Sequence, residues 1–427
     1  MVAVVAIAFW KATQRTRGAA VLTHEQNERL ARIEGDAPMG TLMREHCWIP
    51  ATLSVALVSD GAPRRVRLLG TDYVAFRDSN GEIGFLDERC PHRNVSLVLA
   101  RNENCALTCI FHAWRIDVTG QVVEAPTHTP NAEAFAAKVQ TRSYPTAEGG
   151  GMVWVWLGEG EAPPFPHLPF TVLPQSQVWV TTTTVDCNWL QGVEATLDTA
   201  HIGTLHKAYI AAYAKADDES TISGSLANLA PRYDVERTSY GLDAIASRPM
   251  PDGTNYVRTT KHVQPFVSLV PGSAGDVDGV IFIVSPVDDT HHVMFHGFWS
   301  DSRDINDGFD VPTAQLPMMG DLPYDVHEFG KFTAGRDQNW GQDREAMARG
   351  HFTGFTGNLL QEDTVTQVSM GPIVDRTKEH LSSSDVAIIH LRRQLLQVLD
   401  DLEAGSPPAP APSHLSVVPT DEVLAPR

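Results

Sequence analysis

Alternation of apolar and polar residues changes its period early in the chain. Residues 24–34 have a helical pattern, with Thr23 as the predicted N-cap. From about Trp48 the period becomes that of β-strands, and Asn80-Gly81 is typical of a hairpin turn. The strand-like runs cover 64–69, 73–77, 83–86 and 152–157. The pattern predicts a small all-β unit that ends near residue 158.

A second unit follows a Pro-rich connector at 159–170. It contains a helix-like stretch at 188–208 and a closing helical pattern at 384–402. Its strand-like runs cover 178–185, 232–236, 255–265, 280–287 and 292–299. Because strands do not alternate regularly with helices, the pattern indicates an antiparallel sheet with helices, an α+β fold.

These boundaries divide the chain into five segments. They are an N-terminal extension at 1–22, a helix with the β unit at 23–158, a Pro-rich linker at 159–175, the α+β unit at 176–404 and a Pro-rich C-terminal arm at 405–427.

The charge of the chain limits its partners. Lys and Arg number 33 against 52 Asp and Glu, which gives a formal net charge of −19. We expect no nucleic-acid partner, because phosphate binding needs a basic face. An anionic substrate would have to be held by locally placed Arg or Lys. The five cysteines are too few for a disulfide framework in a chain of this length.

The apolar stretch Met1–Trp10 is too short to span a bilayer, which needs about 20 residues. Its positive charges follow the apolar run, whereas a signal peptide carries them before it. We expect an upstream start or a disordered extension here, no membrane span elsewhere, and a cytoplasmic protein.

Two Cys/His pairs form the strongest chemical signal. Cys90-Pro91-His92 is followed, after sixteen residues, by Cys109-Ile110-Phe111-His112. A [2Fe–2S] cluster can use this set with both cysteines on one iron and both histidines on the other, which raises its reduction potential. On spacing alone, a structural zinc site and a Cys90–Cys109 disulfide stay open, although zinc fingers usually order their ligands differently.

A second group of metal-ligating residue types lies in the helix-like stretch, with the spacing Glu194-x3-Asp198-x2-His201-x4-His206. Two histidines and a distant carboxylate make the facial triad of non-haem Fe(II) oxygenases. His201 and His206 lie about 140° apart on an ideal helix, so both reach one metal only if the helix is distorted or interrupted. Two surface histidines on an amphipathic helix are the alternative.

Both groups lie within segments that resemble one enzyme family. Residues 90–114 resemble the cluster motif of Rieske ring-hydroxylating oxygenase α-subunits, usually CPHRG…CxYHGW, with departures at Asn94, Phe111 and Ala113. The stretches NWLQGVEATLDTAHIGTLH and NLLQEDTVTQVSMGPIVDRTKEHLSSSDVAIIHLRR resemble the phthalate-dioxygenase branch of this family. The resemblance extends over roughly 22–400.

This resemblance implies a fold and two cofactors. The fold is an N-terminal all-β Rieske domain followed by a helix-grip (START-like) catalytic domain with an antiparallel sheet and helices. The [2Fe–2S] cluster would be held by Cys90, His92, Cys109 and His112. A mononuclear Fe(II) would be held by His201, His206 and Asp363, with Asp363 preferred over its neighbour Glu362.

The resemblance also implies roles for residues around the iron. Asp198 would bridge a ligand histidine of this iron and His112 of a neighbouring subunit's cluster, which orients the imidazole and gives an electron a short route. Arg232 and Arg258 resemble positions that hold substrate carboxylates. Asp375, Arg376 and Asp385 also match the branch pattern, and we expect them to form structural ion pairs.

The function implied is the oxygenase component of a multicomponent enzyme. It would use O2 and NADH-derived electrons to hydroxylate an aromatic carboxylate such as a phthalate or phenoxybenzoate, by cis-dihydroxylation. The alternative is a monooxygenase or O-demethylase of a methoxylated aromatic acid, because these reactions share the same metals. Apolar Ile202, next to the first ligand histidine, favours a larger or less charged aromatic than phthalate itself.

The partners follow from what the chain lacks and from the family. Without a G-x-G-x-x-G fingerprint, NADH and flavin belong to a separate flavin/iron–sulfur reductase. The family implies a head-to-tail homotrimer or a hexamer of two stacked trimers. A Rieske electron carrier without catalysis is a different class of protein, and it would leave the His201, His206 and Asp363 set without a role. A zinc-stabilised binding protein is a third class, and it would be colourless.

Overall fold

The structure is a computed structural model, and it describes residues 21–216, 221–272, 277–305, 327–331, 333–406, 408, 415 and 417–425. Most of the predicted N-terminal extension and part of the predicted C-terminal arm therefore lie outside the described residues.

The N-terminal unit begins with two helices, α1 (His24–Ala31) and α2 (Pro38–His46). Thr23 caps α1 as predicted, and Gln26 completes a capping box with it. A short helix α3 (Ala132–Ala136) lies near the end of the unit. The strands of this unit are β1 (Trp48–Leu53), β2 (Arg64–Leu68), β3 (Thr71–Arg77), β4 (Ile83–Asp87), β5 (Arg101–Glu103), β6 (Ala106–Thr108), β7 (Arg115–Ile116), β8 (Val122–Glu124), β9 (Thr146–Gly149) and β10 (Met152–Trp156).

Three small antiparallel sheets make up this β unit. Their orders are β1-β10-β9, β2-β3-β4 and β5-β6-β7-β8. The third sheet and the loops beside it enclose a separate small core that includes Cys90, Cys109 and Trp114. The larger core of the molecule runs from α1 and α2 through β10 into the second unit. The cluster loops therefore have a rigid apolar support of their own.

One large sheet dominates the second unit. Its order is β12-β13-β14-β15-β16-β17-β11-β18, and β19 pairs with the part of β14 that β15 leaves uncovered. Each pairing is antiparallel except that of β11 with β18. The strands are β11 (Val178–Val185), β12 (Arg232–Arg237), β13 (Gly241–Pro249), β14 (Asn255–Val263), β15 (Val267–Pro271), β16 (Gly279–Asp288), β17 (His291–Trp299), β18 (Glu328–Gly330) and β19 (Thr420–Leu424).

Helices cover this sheet, which confirms the α+β class. They are α4 (Trp189–Leu197), α5 (Ile202–Leu205), α6 (Lys207–Ala216), α7 (Gly224–Ala227), α8 (Arg344–Ala348), α9 (Leu359–Ser369) and α10 (Val386–Glu403). The helix α4 packs on β15, β16 and β17 through a fully buried stripe that includes Trp189, Val193 and Leu197.

A buried ion-pair network fixes α4 to the C-terminal half of the chain. Both oxygens of Glu194 accept hydrogen bonds from Arg376, and one also accepts from Arg392 of α10. Arg376 is therefore the structural ion-pair partner that the sequence predicted. The two guanidinium groups outweigh the burial of Glu194 and keep its pKa below the ordinary value.

The predicted strands of both units are present, but the sequence-based assignment missed several elements, among them β1, β13, β15 and the helix α9. The helix α2 has no counterpart in the sequence-based assignment, and the C-terminal arm contains β19, which adds to the sheet with Thr420 opposite Thr259 and Leu424 opposite Asn255. Over the ranges given above, no helix is both long and apolar enough to cross a membrane.

Candidate metal centres and substrate cavity

The two loops that carry the predicted cluster ligands share one backbone design. In the first loop the Cys90 amide donates to the Val95 carbonyl, and the Asn94 amide donates to the Cys90 carbonyl. The loop that begins at Cys109 repeats both hydrogen bonds at the same spacing. Each cysteine is therefore held at the start of a closed turn.

Each turn closes through a residue in the left-handed region, Asn94 at φ 58° and Ala113 at φ 53°. These are two of the positions where the sequence departs from the usual motif, which has glycine at both. Asparagine visits this conformation readily, whereas alanine is strained by roughly 1–2 kcal/mol. The substitution at Ala113 therefore leaves the turn intact at a cost in stability.

The four predicted cluster ligands lie as a pair of thiols and a pair of imidazoles. Cys90 and Cys109 are buried free thiols, so the disulfide alternative is wrong. The rings of His92 and His112 have their centroids 4.5 Å apart. Nδ1 of His112 is buried without a hydrogen-bond partner in the described part of the chain. This donor set fits a [2Fe–2S] cluster with one pair on each iron.

The surroundings of these ligands favour metal binding over free ionised side chains. Burial raises the pKa of the Cys90 thiol to about 11, so its thiolate needs a cation to balance the charge. The indole of Trp114 stacks on His92, with centroids 4.4 Å apart and planes 2° from parallel. The side chain of Phe111 is half exposed and packs on His112. The aromatic neighbours hold both imidazole rings in position.

The helix that carries the two downstream histidines is interrupted, as the sequence predicts. The helix α4 ends before Asp198, His201 precedes α5, and His206 separates α5 from α6 with φ −90° and ψ 16°. Because of the interruption, the two rings face each other with centroids 5.0 Å apart.

Asp363 of α9 completes this group. Its Oδ1 lies 3.1 Å from Nε2 of His206 and 3.6 Å from Nε2 of His201. One potential ligand atom from each of the three residues lies within 4.8 Å of the other two. Among the described residues, these three are the group of His, Cys, Asp or Glu side chains found close enough together to hold a metal ion. Two imidazole nitrogens and one carboxylate oxygen are the donors of the facial triad.

Glu362 faces the other side of His206. Its Oε2 lies 2.9 Å from Nδ1 of His206, and its Oε1 accepts a hydrogen bond from the Thr353 hydroxyl. The residue is fully buried. Glu362 therefore fixes the imidazole so that Nε2 points to Asp363, and the structure assigns the two neighbouring acids different positions.

The charges of this group favour a bound cation. Burial disfavours protonation of His206, but Asp363 and Glu362 outweigh it and raise its pKa to about 9. Burial also opposes ionisation of Asp363, yet the histidines keep its pKa below the ordinary value. The group therefore stabilises positive charge, which a metal ion can supply in place of the proton.

Asp198 lies between the helix end and the first histidine. Its Oδ2 is 3.5 Å from Nδ1 of His201, and its Oδ1 accepts a hydrogen bond from the Ala200 amide. About 29% of the Asp198 side chain is exposed, and the residue also lines the cavity beside the histidines. This placement is compatible with contact to another subunit.

Gly203 lets two short helices meet beside the histidines. A Cβ atom at this position would lie 2.2 Å from the Ser225 carbonyl oxygen of α7. Any side chain at residue 203 would push α5 away from α7, and with it the segment between His201 and His206.

A cavity opens beside His201, His206 and Asp363, with a volume of about 1170 Å³ including its open mouth. Its wall is mostly apolar, from Ile202 and Ile210 to Phe282, Met294, Phe298 and Leu360. Such a cavity with few polar groups is the usual form of a site for a small organic molecule.

The two predicted substrate arginines have different positions. Arg258 of β14 lines the cavity, its side chain is 4% exposed, and its Nη1 lies 3.3 Å from Oδ2 of Asp421. Arg232 is exposed on the edge strand β12 and does not line the cavity. The position of Arg232 therefore does not support the prediction that it contacts substrate.

His296 of β17 is a cavity residue that the sequence analysis missed. It is buried between Phe282 and Phe298, and its Nδ1 has no hydrogen-bond partner in the described part of the chain. Burial lowers its pKa to about 4, so the ring is neutral near pH 7. The sequence did contain a signal for this residue, because His296 interrupts the apolar part of the run HHVMFHGFW in a predicted strand.

Comparison with known proteins accounts for both units. The profile of the Rieske [2Fe–2S] domain matches residues 47–145, and the profile described as LigXa C-terminal domain like matches residues 155–423. The chain belongs to the Rieske non-haem iron oxygenases. As a member of this family it is an oxidoreductase that incorporates O2, with a [2Fe–2S] cluster and a mononuclear iron, so the zinc alternative is wrong.

Two curated relatives align over most of the chain. The phthalate 4,5-dioxygenase oxygenase subunit of Pseudomonas putida is 38% identical, over 90% of this chain and 88% of its own length. The 3-chlorobenzoate-3,4-dioxygenase oxygenase subunit of Comamonas testosteroni is 34% identical, over 89% of each. Both are oxygenase components of Rieske dioxygenases.

Solved structures show the same fold. The oxygenase in the reduced complex with ferredoxin of carbazole 1,9a-dioxygenase superposes with a TM-score of 0.57 at 19% identity, over 87% of this chain and 93% of that one. The predicted fold, a Rieske domain followed by an antiparallel-sheet catalytic domain, is confirmed.

Proposed function

We propose that this chain hydroxylates an aromatic carboxylate, by cis-dihydroxylation, with O2 and electrons that originate from NADH. The relatives that act on phthalate and on 3-chlorobenzoate support this class of substrate. Within the proposal, Cys90, His92, Cys109 and His112 hold the cluster, and His201, His206 and Asp363 hold the iron.

The position of Arg258 carries the proposal for an acidic substrate. Its buried guanidinium lies in the wall of the same cavity as the His201, His206 and Asp363 group. A planar guanidinium is the natural partner of a carboxylate. Arg258 also pairs with Asp421, so its guanidinium is fixed in the wall of the cavity where an acid group of the substrate would lie.

Residues of this chain would orient the substrate and the two histidines for the reaction. Iron held by the proposed set supplies O2-activating chemistry, and the cluster supplies single electrons. The rings of Phe282 and Phe298 offer apolar faces to an aromatic substrate, while Arg258 would fix the orientation of its carboxylate. Asp198 holds His201 from the side of Nδ1, as Glu362 holds His206.

The electron supply requires partners. We propose a separate NADH-dependent flavin/iron–sulfur reductase, and a trimer or hexamer in which Asp198 contacts His112 of a neighbouring subunit. The exposed part of Asp198 and the half-exposed Phe111 beside His112 support this arrangement. Mass measurement of the native protein in solution tests the assembly, and a stable monomer would contradict it.

Paired arginine variants test the acidic-substrate proposal. Arg258→Gln should raise the KM for aromatic acids by about 10- to 100-fold, because a charge-assisted hydrogen bond is lost. The Arg258→Gln substitution is made together with Asp421→Asn, so that the buried carboxylate of Asp421 is not left without its partner. The control is Arg232→Gln, on the exposed edge strand, which should leave KM unchanged.

Steady-state kinetics with a phthalate-type reductase and a panel of benzoates and phthalates gives the KM values. Equal KM values for the wild type and the Arg258 variant would show that another group binds the acid. A loss confined to the Arg232 variant would contradict the assignment of the cavity.

A further inference from the structure

Two polar side chains in the cavity wall contain buried atoms without a hydrogen-bond partner. They are His296 of β17 and Thr183 of β11, and both line the cavity. Among the described residues, neither Nδ1 of His296 nor the Thr183 hydroxyl has a partner. The two residues are 4% and 2% exposed. Because buried polar groups are normally hydrogen-bonded, these two point to a polar group bound in the cavity.

The register of β11 and β17 places both side chains on one face of the sheet. Met294 lies directly opposite Thr183, and Thr181 lies directly opposite His296. Thr183 and His296 are therefore diagonal neighbours, and such neighbours are about 7–8 Å apart. One small group between them can contact both. The Thr181 hydroxyl is also buried without a partner among the described residues, so it does not supply the bond that His296 lacks.

The imidazole of His296 is held in place and is neutral. The rings of Phe282 and Phe298 have their centroids 4.9 Å and 5.1 Å from that of His296, which restricts its rotation. Burial lowers the pKa of His296 to about 4, and the charge of Asp363 partly opposes this shift, which places the ring near the metal group. His296 and Thr183 thus form a neutral hydrogen-bonding site in an apolar wall, beside the His201, His206 and Asp363 group.

We propose that His296 and Thr183 are specificity-determining residues that bind a hydroxyl group on the ring of the aromatic substrate. This inference rests on the proposed function, because it requires the cavity to hold an aromatic acid. It does not depend on which residue binds the acid group. The preferred substrates are therefore hydroxylated aromatic acids.

The hydrogen-bonding capacity of the two side chains favours a hydroxyl over other oxygen groups. The Thr183 hydroxyl can donate and accept, and Nδ1 of a neutral imidazole does one or the other. A substrate hydroxyl also donates and accepts, so it can pair with both side chains whichever tautomer His296 adopts. An ether oxygen can only accept. A carboxylate would be buried against two neutral groups, which compensate its charge poorly.

The same two side chains discriminate against substrates that lack the hydroxyl. A methyl group in its place would leave both buried polar atoms unpaired, and sites built to bind a substrate hydroxyl reject such analogues strongly. A cavity wall without polar groups would have the opposite preference, because a methyl group leaves water more readily than a hydroxyl does. The direction of the preference therefore reports whether these residues bind the substrate.

Matched ligands test this inference on the assembled holoenzyme. The dissociation constants of 3-hydroxybenzoate and 3-methylbenzoate, and of 4-hydroxybenzoate and 4-methylbenzoate, are measured by equilibrium dialysis without O2. The 2-isomers are left out, because 2-hydroxybenzoate itself chelates iron. The wild type should bind at least one hydroxybenzoate about tenfold more tightly than its methyl partner.

Variants of the two residues assign the preference to them. Thr183→Val removes the hydroxyl with little change of shape, and His296→Leu removes Nδ1, so each should reduce the preference by about tenfold. His296→Asn keeps a polar atom near the position of Nδ1 and should retain part of the preference. The control is Thr184→Val, the next residue of β11, which is exposed and should leave the preference unchanged.

Thermal unfolding of the ligand-free protein separates substrate binding from a structural role. Thr183→Val should not lower the unfolding midpoint, because the hydroxyl has no described partner to lose. A clearly lower midpoint would show that the Thr183 hydroxyl stabilises the fold, and it would overturn the inference.

The binding data give two further results that would overturn the inference. One is equal or tighter binding of both methylbenzoates by the wild type, which decides the question even if a His296 variant fails to fold. The other is an unchanged preference in folded Thr183→Val or His296→Leu. If all four acids bind without a preference for the hydroxyl, the proposed function stands and the failure concerns this site alone. If none of the four binds, the proposed function fails as well.

Discussion

Oε2 of Glu362 lies 2.9 Å from Nδ1 of His206, inside the protein, while the next residue along the chain faces Nε2 of the same ring. A carboxylate at this place holds the proton on Nδ1 and leaves the Nε2 lone pair for a metal. The two neighbouring acids thus have different positions, with Glu362 against Nδ1 of His206 and Asp363 near Nε2 of the same ring.

Replacement of Glu362 should weaken iron binding without removing a ligand. Glu362→Gln leaves only a neutral hydrogen-bond acceptor at Nδ1, so we expect a 10- to 100-fold loss of affinity at the mononuclear centre. Iron per chain is measured after dialysis against graded chelator concentrations, with cluster absorbance as the internal reference. The control Glu345→Gln alters a carboxylate whose side chain is 90% exposed.

Asp363→Ala is the contrasting variant. It should retain the two cluster irons and lose the mononuclear one at any chelator concentration. Full iron content in Asp363→Ala, together with its loss in Glu362→Gln, would reverse the assignment of the two acids.

Asp198→Asn should separate metal binding from electron supply. The amide keeps the size of the side chain but removes its charge beside Nδ1 of His201, so both metal centres should load normally. We expect turnover, and the rate at which O2 reoxidises the reduced cluster in the presence of substrate, to fall by about 10- to 100-fold. Glu236→Gln, exposed on β12, is the control. Normal reoxidation in Asp198→Asn would contradict the bridging role.

Ala113→Gly should stabilise the Rieske domain. Glycine relieves the left-handed strain of the second cluster turn, although it also gains freedom in the unfolded chain, which leaves a net gain of roughly 0.5–1 kcal/mol. The unfolding midpoint of the cluster domain should rise by about 1–4 °C. Asn94→Gly is the matched variant in the equivalent turn, and little change is expected because asparagine tolerates this conformation. A lower midpoint for Ala113→Gly would refute the strain.

Acid should destabilise the catalytic domain through its buried histidines. Burial lowers the pKa of His262 to about 3 and that of His292 to about 4, against about 6.5 in an unfolded chain. The unfolded state therefore binds more protons below about pH 6.5, and stability is lost as the pH falls through this range, by up to about 1.4 kcal/mol per site and pH unit.

Thermal unfolding between pH 7.5 and 5 measures this dependence. His262→Gln should show a shallower decline than the wild type, whatever its own stability at pH 7.5. Parallel declines in the two proteins would rule out His262 as a source of the acid sensitivity.

Local patterns predicted many of the strands, the two Cys/His pairs and the break in the helix near His201 and His206, whereas Asp363 was assigned through the family resemblance. Period-two alternation predicted β11 and β17, and the five-residue spacing of His201 and His206 required a helix break, which the structure contains. Each of these features depends on residues close together in the sequence.

The features that were missed depend on distant contacts. Alternation along β12 and β14 does not say which strand borders the cavity, so Arg232 and Arg258 were given equal roles. The pairing of Arg258 with Asp421 joins residues 163 positions apart, and no local signal marks the C-terminal arm as a strand. The contact of Glu362 with His206 likewise requires α9 to pack beside the interrupted helix.

The most direct test of the central claim is turnover of the holoenzyme with a phthalate-type reductase, NADH and ¹⁸O₂. Benzoates, phthalates, phenoxybenzoates and methoxybenzoates serve as substrates, and mass spectrometry reads the products. We predict an aromatic acid converted to a product that carries two labelled oxygens. One label, or release of formaldehyde, would make the enzyme a monooxygenase or O-demethylase. No product from any acid, despite full loading of both metal centres, would contradict the claim that this cavity oxidises an aromatic carboxylate.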